Sequence, residues 1–183
     1  MTSPAIEPLA PADFDAFAAY LDDHVADNGR GATPLFMPMA RADSRFHAEH
    51  AASFGAGLER PLDGPGWRRA WVARDDAGRI VGHVDLRARP EPHAAHRCLL
   101  GVGVHRELRG TGLGARLLAQ ACDWAAARPA LAWIDLQVLA SNDAALRLYE
   151  RAGFVKTGAV ADMFRIDGEA FGYAAMTRAL ARP

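Results

Sequence analysis

The chain has 183 residues, 50% of them hydrophobic and 23% charged, with a formal net charge of −1. Such a chain is expected to form one globular domain, residues 1–183, whose core closes without metal or disulfides. The near-neutral balance gives no support to a nucleic-acid partner, which asks for a basic face, and the two cysteines, Cys98 and Cys122, lie in apolar segments and form no framework.

Met1–Glu7 has neither a basic nor an apolar leader segment, and no apolar run approaches the ~20 residues that cross a bilayer, so a cytoplasmic address without a membrane partner is expected. Ile6 to Leu9 reads as a short strand. Pro11 then opens a helix with Phe14, Phe17, Ala18, Leu21 and Val25 on one stripe. Residues Asn28 to Arg41 hold Gly29, Gly31, Pro34 and Pro38 and read as an irregular loop. That loop is unusually apolar, with Leu35, Phe36, Met37 and Met39, as loops are that cover a core or line a ligand site. A second helix is expected from about Ser44 to Leu58.

Trp71 to Leu86 reads as a hairpin turning at Asp75–Gly78, and Cys98 to Val104 as a further strand. The helix from about Gly112 to Arg128 carries Leu113, Leu117, Ala121 and Trp124 on its buried stripe and ends at Pro129. Leu131 to Leu139 is a strand. Asn142 caps a helix to about Ala152, which Gly153 stops. Two more strands, Phe154 to Arg165 and Phe171 to Leu180, join at Asp167-Gly168. The order is β-α-α-β-β-β-α-β-α-β-β. Its central β-α-β unit implies a parallel pair and its hairpins antiparallel ones, so the fold class is α/β with a mixed sheet.

Chemistry concentrates between Val102 and Phe154. Arg109-Gly-Thr-Gly-Leu-Gly114 follows a strand and opens a helix. The backbone N–H groups of Gly110 to Ala115, with the helix N-terminus behind them, suit a pyrophosphate that approaches where no Cβ intrudes. The letters also satisfy the dinucleotide pattern G-x-G-x-x-A through Gly110, Gly112 and Ala115, and Asp135 lies about 20 residues on. Against a nicotinamide or flavin, Asp135 stands in mid-strand, and too little chain follows for a nucleotide-binding domain.

The second element is Asn142-Asp-Ala-Ala-Leu-Arg-Leu-Tyr-Glu-Arg-Ala-Gly-Phe154. Together, R-G-T-G-L-G and N-x-x-A-x-x-L-Y-E-R-x-G-F resemble the GNAT superfamily of acetyl-CoA-dependent N-acetyltransferases. The chain departs from that pattern at Arg106, where the family often has proline. The resemblance implies the acyl-CoA N-acyltransferase fold, whose central parallel strands splay apart. It further implies that Val102, Gly103 and Val104 pair with the pantetheine arm. Arg109, Gly110, Thr111, Gly112, Leu113, Gly114 and Ala115 would hold the pyrophosphate. Asn142 and Ala145 would sit beside the pantetheine, and Tyr149 would protonate the departing thiolate. A phenol of pKa ~10 is chemically suited to donate to a thiolate whose acid is near ~8.5; a core aromatic with its hydroxyl tied to backbone is the other reading.

On the acceptor side, an amine must be neutral to attack, which makes a general base matter most for strongly basic amines. Alternation places Val81, His83, Asp85 and Arg87 on one sheet face, so Asp85 or His83 is a candidate base or amine-orienting group. Asp135 is a third, and ordinary sheet polarity explains any of them equally. Phe36 and Met39, with Met163 and Phe164, are candidate substrate walls or packing residues. His93, His96 and His105 lack a further ligand set, so no metal is expected. The implied reaction is direct transfer from acetyl-CoA to a small-molecule amine such as an amino acid. Protein N-terminal or lysine acetylation, and a non-catalytic acyl-CoA-binding regulator, are the alternatives, and a homodimer is compatible with the sequence.

Overall fold

The computed structural model describes residues 3–180. The first two residues of the leader reading and the last three of the expected domain lie outside that range. Among the described residues the elements follow the expected order. They are β1 (Ala5–Pro8), α1 (Phe14–Ala26), α2 (Ala48–Glu59), β2 (Arg68–Arg74), β3 (Ile80–Ala88), β4 (Arg97–Val104), α3 (Leu113–Ala126), β5 (Trp133–Leu139), α4 (Asp143–Arg151), β6 (Val155–Ile166) and β7 (Glu169–Ala179). The two first-half helices start later than expected. Pro11–Asp13 forms a separate 3-10 turn, and residues 44–47 stay in the loop, where the Ser44 hydroxyl donates to the Ala40 carbonyl. No helix among the described residues is long and apolar enough to cross a membrane.

The strands form one sheet in the order β1-β2-β3-β4-β5-β7-β6. Every neighbouring pair is antiparallel except β4 and β5. Those two pair in parallel only over Arg97↔Trp133, Cys98↔Ile134 and Leu99↔Asp135. Both strands run on, to Val104 and Leu139, with no partner between them. Each keeps its other neighbour, β3 on one side and β7 on the other, so the sheet opens in its middle like a split plank. The split leaves backbone hydrogen-bonding groups unpaired inside the domain, a cost that a ligand can offset.

Two apolar clusters cover the two faces. On one, Leu113, Leu117, Leu118, Ala121, Cys122 and Ala125 of α3 pack on Val84 and Leu86 of β3, Leu100 of β4 and Ile134 of β5. Each buried leucine there contributes on the order of 2 kcal/mol of transfer free energy. On the other face, Phe17, Tyr20 and Leu21 of α1 and Phe54 of α2 pack on Ala70 and Val72 of β2. The stripe that α1 buries therefore includes Tyr20 and His24, while Phe14 and Ala18 stay half-buried.

The expected alternation along β3 holds for His83 and Asp85 and fails at Val81. Ala73 pairs with Gly82 but Arg74 pairs with Ile80, so Val81 is the extra residue of a bulge. It joins the α3 cluster instead, and its carbonyl accepts from His105 N–H at 2.9 Å. A second irregularity breaks β6, where Val160 pairs with Tyr173 and Phe164 with Phe171. Met163 is exposed at that bulge, while Phe164 turns inward beside Tyr173.

The α1–α2 loop is irregular but pinned. Buried Asn28 accepts from the N–H groups of Phe36 (2.7 Å) and Met37 (2.9 Å) and donates to the Met37 carbonyl and the Ser44 hydroxyl. Leu35 packs on Leu139 and Ile166, and Arg41 pairs with Asp167 at 2.8 Å.

Candidate active site

The glycine-rich turn takes the form its sequence asks for. Gly110 (φ +78°) and Gly112 (φ +89°) have left-handed backbones, and a Cβ at either would meet open space. Their glycines are thus required by conformation and not by crowding. The first bond of the α3 ladder runs from Arg116 N–H to the Gly112 carbonyl at 3.3 Å. The N–H groups of Leu113, Gly114 and Ala115 precede it and have no partner among the described residues. Three unpaired donors at the positive end of a helix dipole make an anion site.

This turn forms one end of a cleft of about 770 Å³. Val102, Val104 and Leu108 line it, as do Asn142, Ala145 and Tyr149 of the α4 segment, and it extends to His24, Thr33, Pro34 and Phe36 of α1 and its loop. It passes through the gap between β4 and β5, joining the α3 face of the sheet to the α1 face. Gly114 lets the two banks approach, since a Cβ there would stand 3.1 Å from Leu148 Cδ2. Phe36 lines the cleft without filling it.

Several expected site residues behave differently as side chains than as backbone. Thr111 turns its hydroxyl to the Leu108 carbonyl at 2.7 Å, and Leu113 is buried in the core. Only their backbones can serve a ligand. Arg109 is turned toward α1, with its guanidinium 2.7 Å from the Asp27 carboxylate and 3.2 Å from both the Thr33 hydroxyl and the Val104 carbonyl. It also lies 5.8 Å from the centre of the Phe36 ring. Gly103 faces α1, where a Cβ would come within 2.5 Å of His83 Cε1 and 2.6 Å of His24 Nε2. Asn142 Oδ1 accepts from Ala145 N–H at 3.2 Å as the cap of α4.

Tyr149 is buried in the cleft wall with its ring against Phe154. Its hydroxyl makes no hydrogen bond among the described residues, unlike a core tyrosine tied to backbone. Burial pushes its pKa up to about 12, with a smaller contribution from Tyr173. It is therefore a neutral phenol, proton in place, at any physiological pH.

The polar residues expected on the acceptor side do not converge on the cleft. Asp85 is clasped by Arg68 at 3.0 Å and Arg87 at 3.5 Å over Gly101. His83 Nδ1 lies 3.2 Å from the Tyr20 hydroxyl, which donates to the Gly103 carbonyl at 3.3 Å. Asp135 sits at the paired end of β4 and β5, held by Arg97, by Arg89 at 2.8 Å and by the Thr177 hydroxyl at 2.7 Å. It lines a separate hollow of about 500 Å³. Met39 is half-buried in the loop and does not line the cleft. Among the described residues no three His, Cys, Asp or Glu side chains form a metal-binding group.

Four basic side chains of the cleft escaped the sequence reading. Arg147 and Arg151 lie one turn apart on α4, and Arg178 comes from β7. The i, i+4 spacing of the first two was readable as one cationic edge. His24 lies four residues after Tyr20 on α1 and gave no signal, because apolar periodicity does not count a histidine.

Comparison with known proteins gives a consistent result. Residues 38–154 match the model of the acetyltransferase (GNAT) family. The N-alpha-acetyltransferase RimI of Mycobacterium tuberculosis is 29% identical over 142 residues, 71% of this chain and 84% of that protein. A GNAT superfamily phosphinothricin acetyltransferase from Sinorhizobium meliloti, solved in complex with acetyl-CoA, superposes with a TM-score of 0.76 at 18% identity, covering 98% of this chain and 90% of that one. The ribosomal-protein-alanine N-acetyltransferase from Brucella melitensis also gives 0.76, at 23% identity over 96% of this chain and 99% of that one.

Proposed function

Because the chain belongs to the GNAT family of acetyl-CoA-dependent N-acetyltransferases, we propose that it acetylates the primary amine of a small molecule, an amino acid or related metabolite, in the cytoplasm. The observation that carries the reading is the free Tyr149 phenol lining the same cleft as three unpaired helix N–H groups.

The residues divide the work as follows. The N–H groups of Leu113, Gly114 and Ala115 bind the donor's pyrophosphate, and Arg147 and Arg151 supply cations beside it. The edge of β4 beyond Leu99, unpaired on the β5 side, receives the pantetheine arm and brings the thioester into the gap. The amine attacks from the α1 side. Its lone pair forms the new C–N bond at the thioester carbon, and the C–S bond breaks. Tyr149 gives its proton to the leaving sulfur, and the amine's surplus proton passes to water. Asp85, shared by two guanidiniums and outside the cleft lining, positions Arg68 and Arg87.

A thiol-release assay with acetyl-CoA across amino acids, polyamines, aminoglycosides and peptides tests this. Amine-dependent release with an amino acid or small metabolite is expected, and none with any amine would refute the enzyme reading. Tyr149→Phe should lower kcat by about 10²-fold with the KM for acetyl-CoA within about twofold; unchanged turnover where chemistry limits the rate removes the acid role. The likeness to RimI favours peptide N-termini as the second reading. Peptides turning over while free amino acids do not would select it.

A further inference from the structure

The acceptor end of the cleft holds one unexplained group. His24 is more than nine-tenths buried, and its Nδ1 is sealed from solvent with no hydrogen-bond partner. The ring is fixed by Phe36 at 4.9 Å and Tyr20 at 5.9 Å between ring centres. Its Nε2–Cδ2 edge lies over Gly103, on the strand that borders the gap.

The orphan nitrogen decides the proton's place. A proton on Nδ1 would be a donor with nothing to meet, and buried orphan N–H groups are rarer in folded proteins than under-used acceptors. The proton therefore belongs on Nε2, and the imidazole is a hydrogen-bond donor at the acceptor end. It is also unable to act as a base, since a second proton would have to enter the sealed Nδ1.

Among the residues that line the cleft no second histidine and no carboxylate stands as a base. On its own helix and just beyond, Asp23 pairs with Arg106 at 2.8 Å and Asp27 with Arg109 at 2.7 Å. Across from it stand His83 on β3 and His105 after β4, the latter 3.5 Å from Asp23. Burial, with His83 and Arg109 adding to it, lowers the pKa of His24 to about 3; burial also takes His83 to about 3 and raises that of Tyr20.

The geometry points to His24 as the residue that reads the acceptor, its Nε2–H donating to an oxygen of the carbonyl or carboxylate carbon attached to the amine-bearing carbon. The substrate is then an α-amino acid or an α-amino carbonyl compound taken up as the free base. This rests on the acetyltransferase reading above and narrows its substrate. The absence of a base suits the amide and peptide members of this class best. At pH 7.4 about a quarter of a peptide-type α-amino group of pKa ~7.8 is neutral, against about 0.1% of a lysine-type amine of pKa ~10.4.

The test compares L-leucine, L-leucinamide, a leucine-initiated dipeptide and isopentylamine as acceptors, with kcat/KM expressed per neutral amine. The α-carbonyl acceptors should exceed isopentylamine by at least about tenfold. His24→Ala should erase that preference through the acceptor KM and leave the acetyl-CoA KM unchanged. His24→Gln, which keeps an N–H donor on a side chain of similar reach, should retain part of it. Equal rates per neutral amine, or a preference that survives in His24→Ala, overturn the assignment. Leucine, leucinamide and dipeptide together separate a free carboxylate from a peptide carbonyl. Imidazole ¹⁵N NMR of the wild-type chain gives an answer without turnover. The Nε2–H tautomer should persist unchanged from pH 5 to 9, and an Nδ1–H tautomer or a titration in that range refutes it. If no amine is acetylated, the function fails while the tautomer still stands or falls by itself.

Discussion

Acidification should destabilise this protein through two histidines well before its carboxylates protonate. Burial holds His24 and His83 to a pKa of about 3 in the folded chain, against 6.5 for a free imidazole. Above pH 6.5 both are neutral whether folded or not, and the stability is intact. As pH falls below 6.5 the unfolded chain takes up two protons that the folded chain refuses, and the loss grows until pH reaches about 3. At pH 5.0 the gap is 1.5 units for each histidine relative to the 6.5 reference, or about 2 kcal/mol each and about 4 kcal/mol together. For a domain of this size that is a fall in Tm of roughly 10 °C. Depressed carboxylates such as Asp23 and Asp135 act in a separate window, because their stabilisation is present above the unfolded value of 3.8 and is lost only below it. Urea unfolding at pH 7.5, 6.0 and 5.0 measures the loss directly. His24→Gln and His83→Gln should each remove about half of the pH dependence, whatever they do to stability at pH 7.5. A stability that stays flat between pH 7.5 and 5.0 would mean that the imidazoles charge freely in the native state, and would refute the burial argument.

Three further substitutions probe how the cleft is held. Asn28→Ala strands the N–H groups of Phe36 and Met37 and should destabilise the chain by about 2–5 kcal/mol in urea unfolding, with a raised acceptor KM in whatever fraction folds. Arg109→Gln should raise the KM for acceptor and acetyl-CoA together, because Arg109 ties the glycine turn to Asp27 and Thr33, whereas Arg147→Gln should raise that for acetyl-CoA alone; initial-rate kinetics separate the two patterns.

The second half of the chain was far more legible than the first. The glycine turn, the Asn142 cap and the Gly153 stop are local devices, each written in a few adjacent residues whose backbone demands are known, and all three stand where the letters put them. The order of elements along the chain follows from the same logic, whereas the place of β7 between β5 and β6 is set by the folded sheet. Val81 shows where local reading stops, because a bulge is decided by the partner strand and flips one side chain to the other face. Arg109 shows a second limit. Its backbone position belongs to the motif, but its guanidinium answers to Asp27, whose nearness only the folded chain reveals. Tyr20 and His24 were hidden for a third reason. They occupy core positions on α1, so a stripe drawn from apolar letters passes over the polar residues that make that stripe chemical.

On the side that faces α1, Gly101 and Gly103 of β4 make room for Asp85, His83 and His24 to close over the strand. A donor gripped by α3 and α4 and an acceptor received by α1 and its loop would then meet the enzyme through separate sets of elements. The two specificities can then drift independently. Exchanging the residues around His24, Thr33 and Phe36 would re-address the enzyme to another amine while the cradle for the acyl donor stays intact. The Arg109–Asp27 pair is the seam between the two halves, and a chimera that swaps the α1 segment must carry that pair across or lose both grips at once.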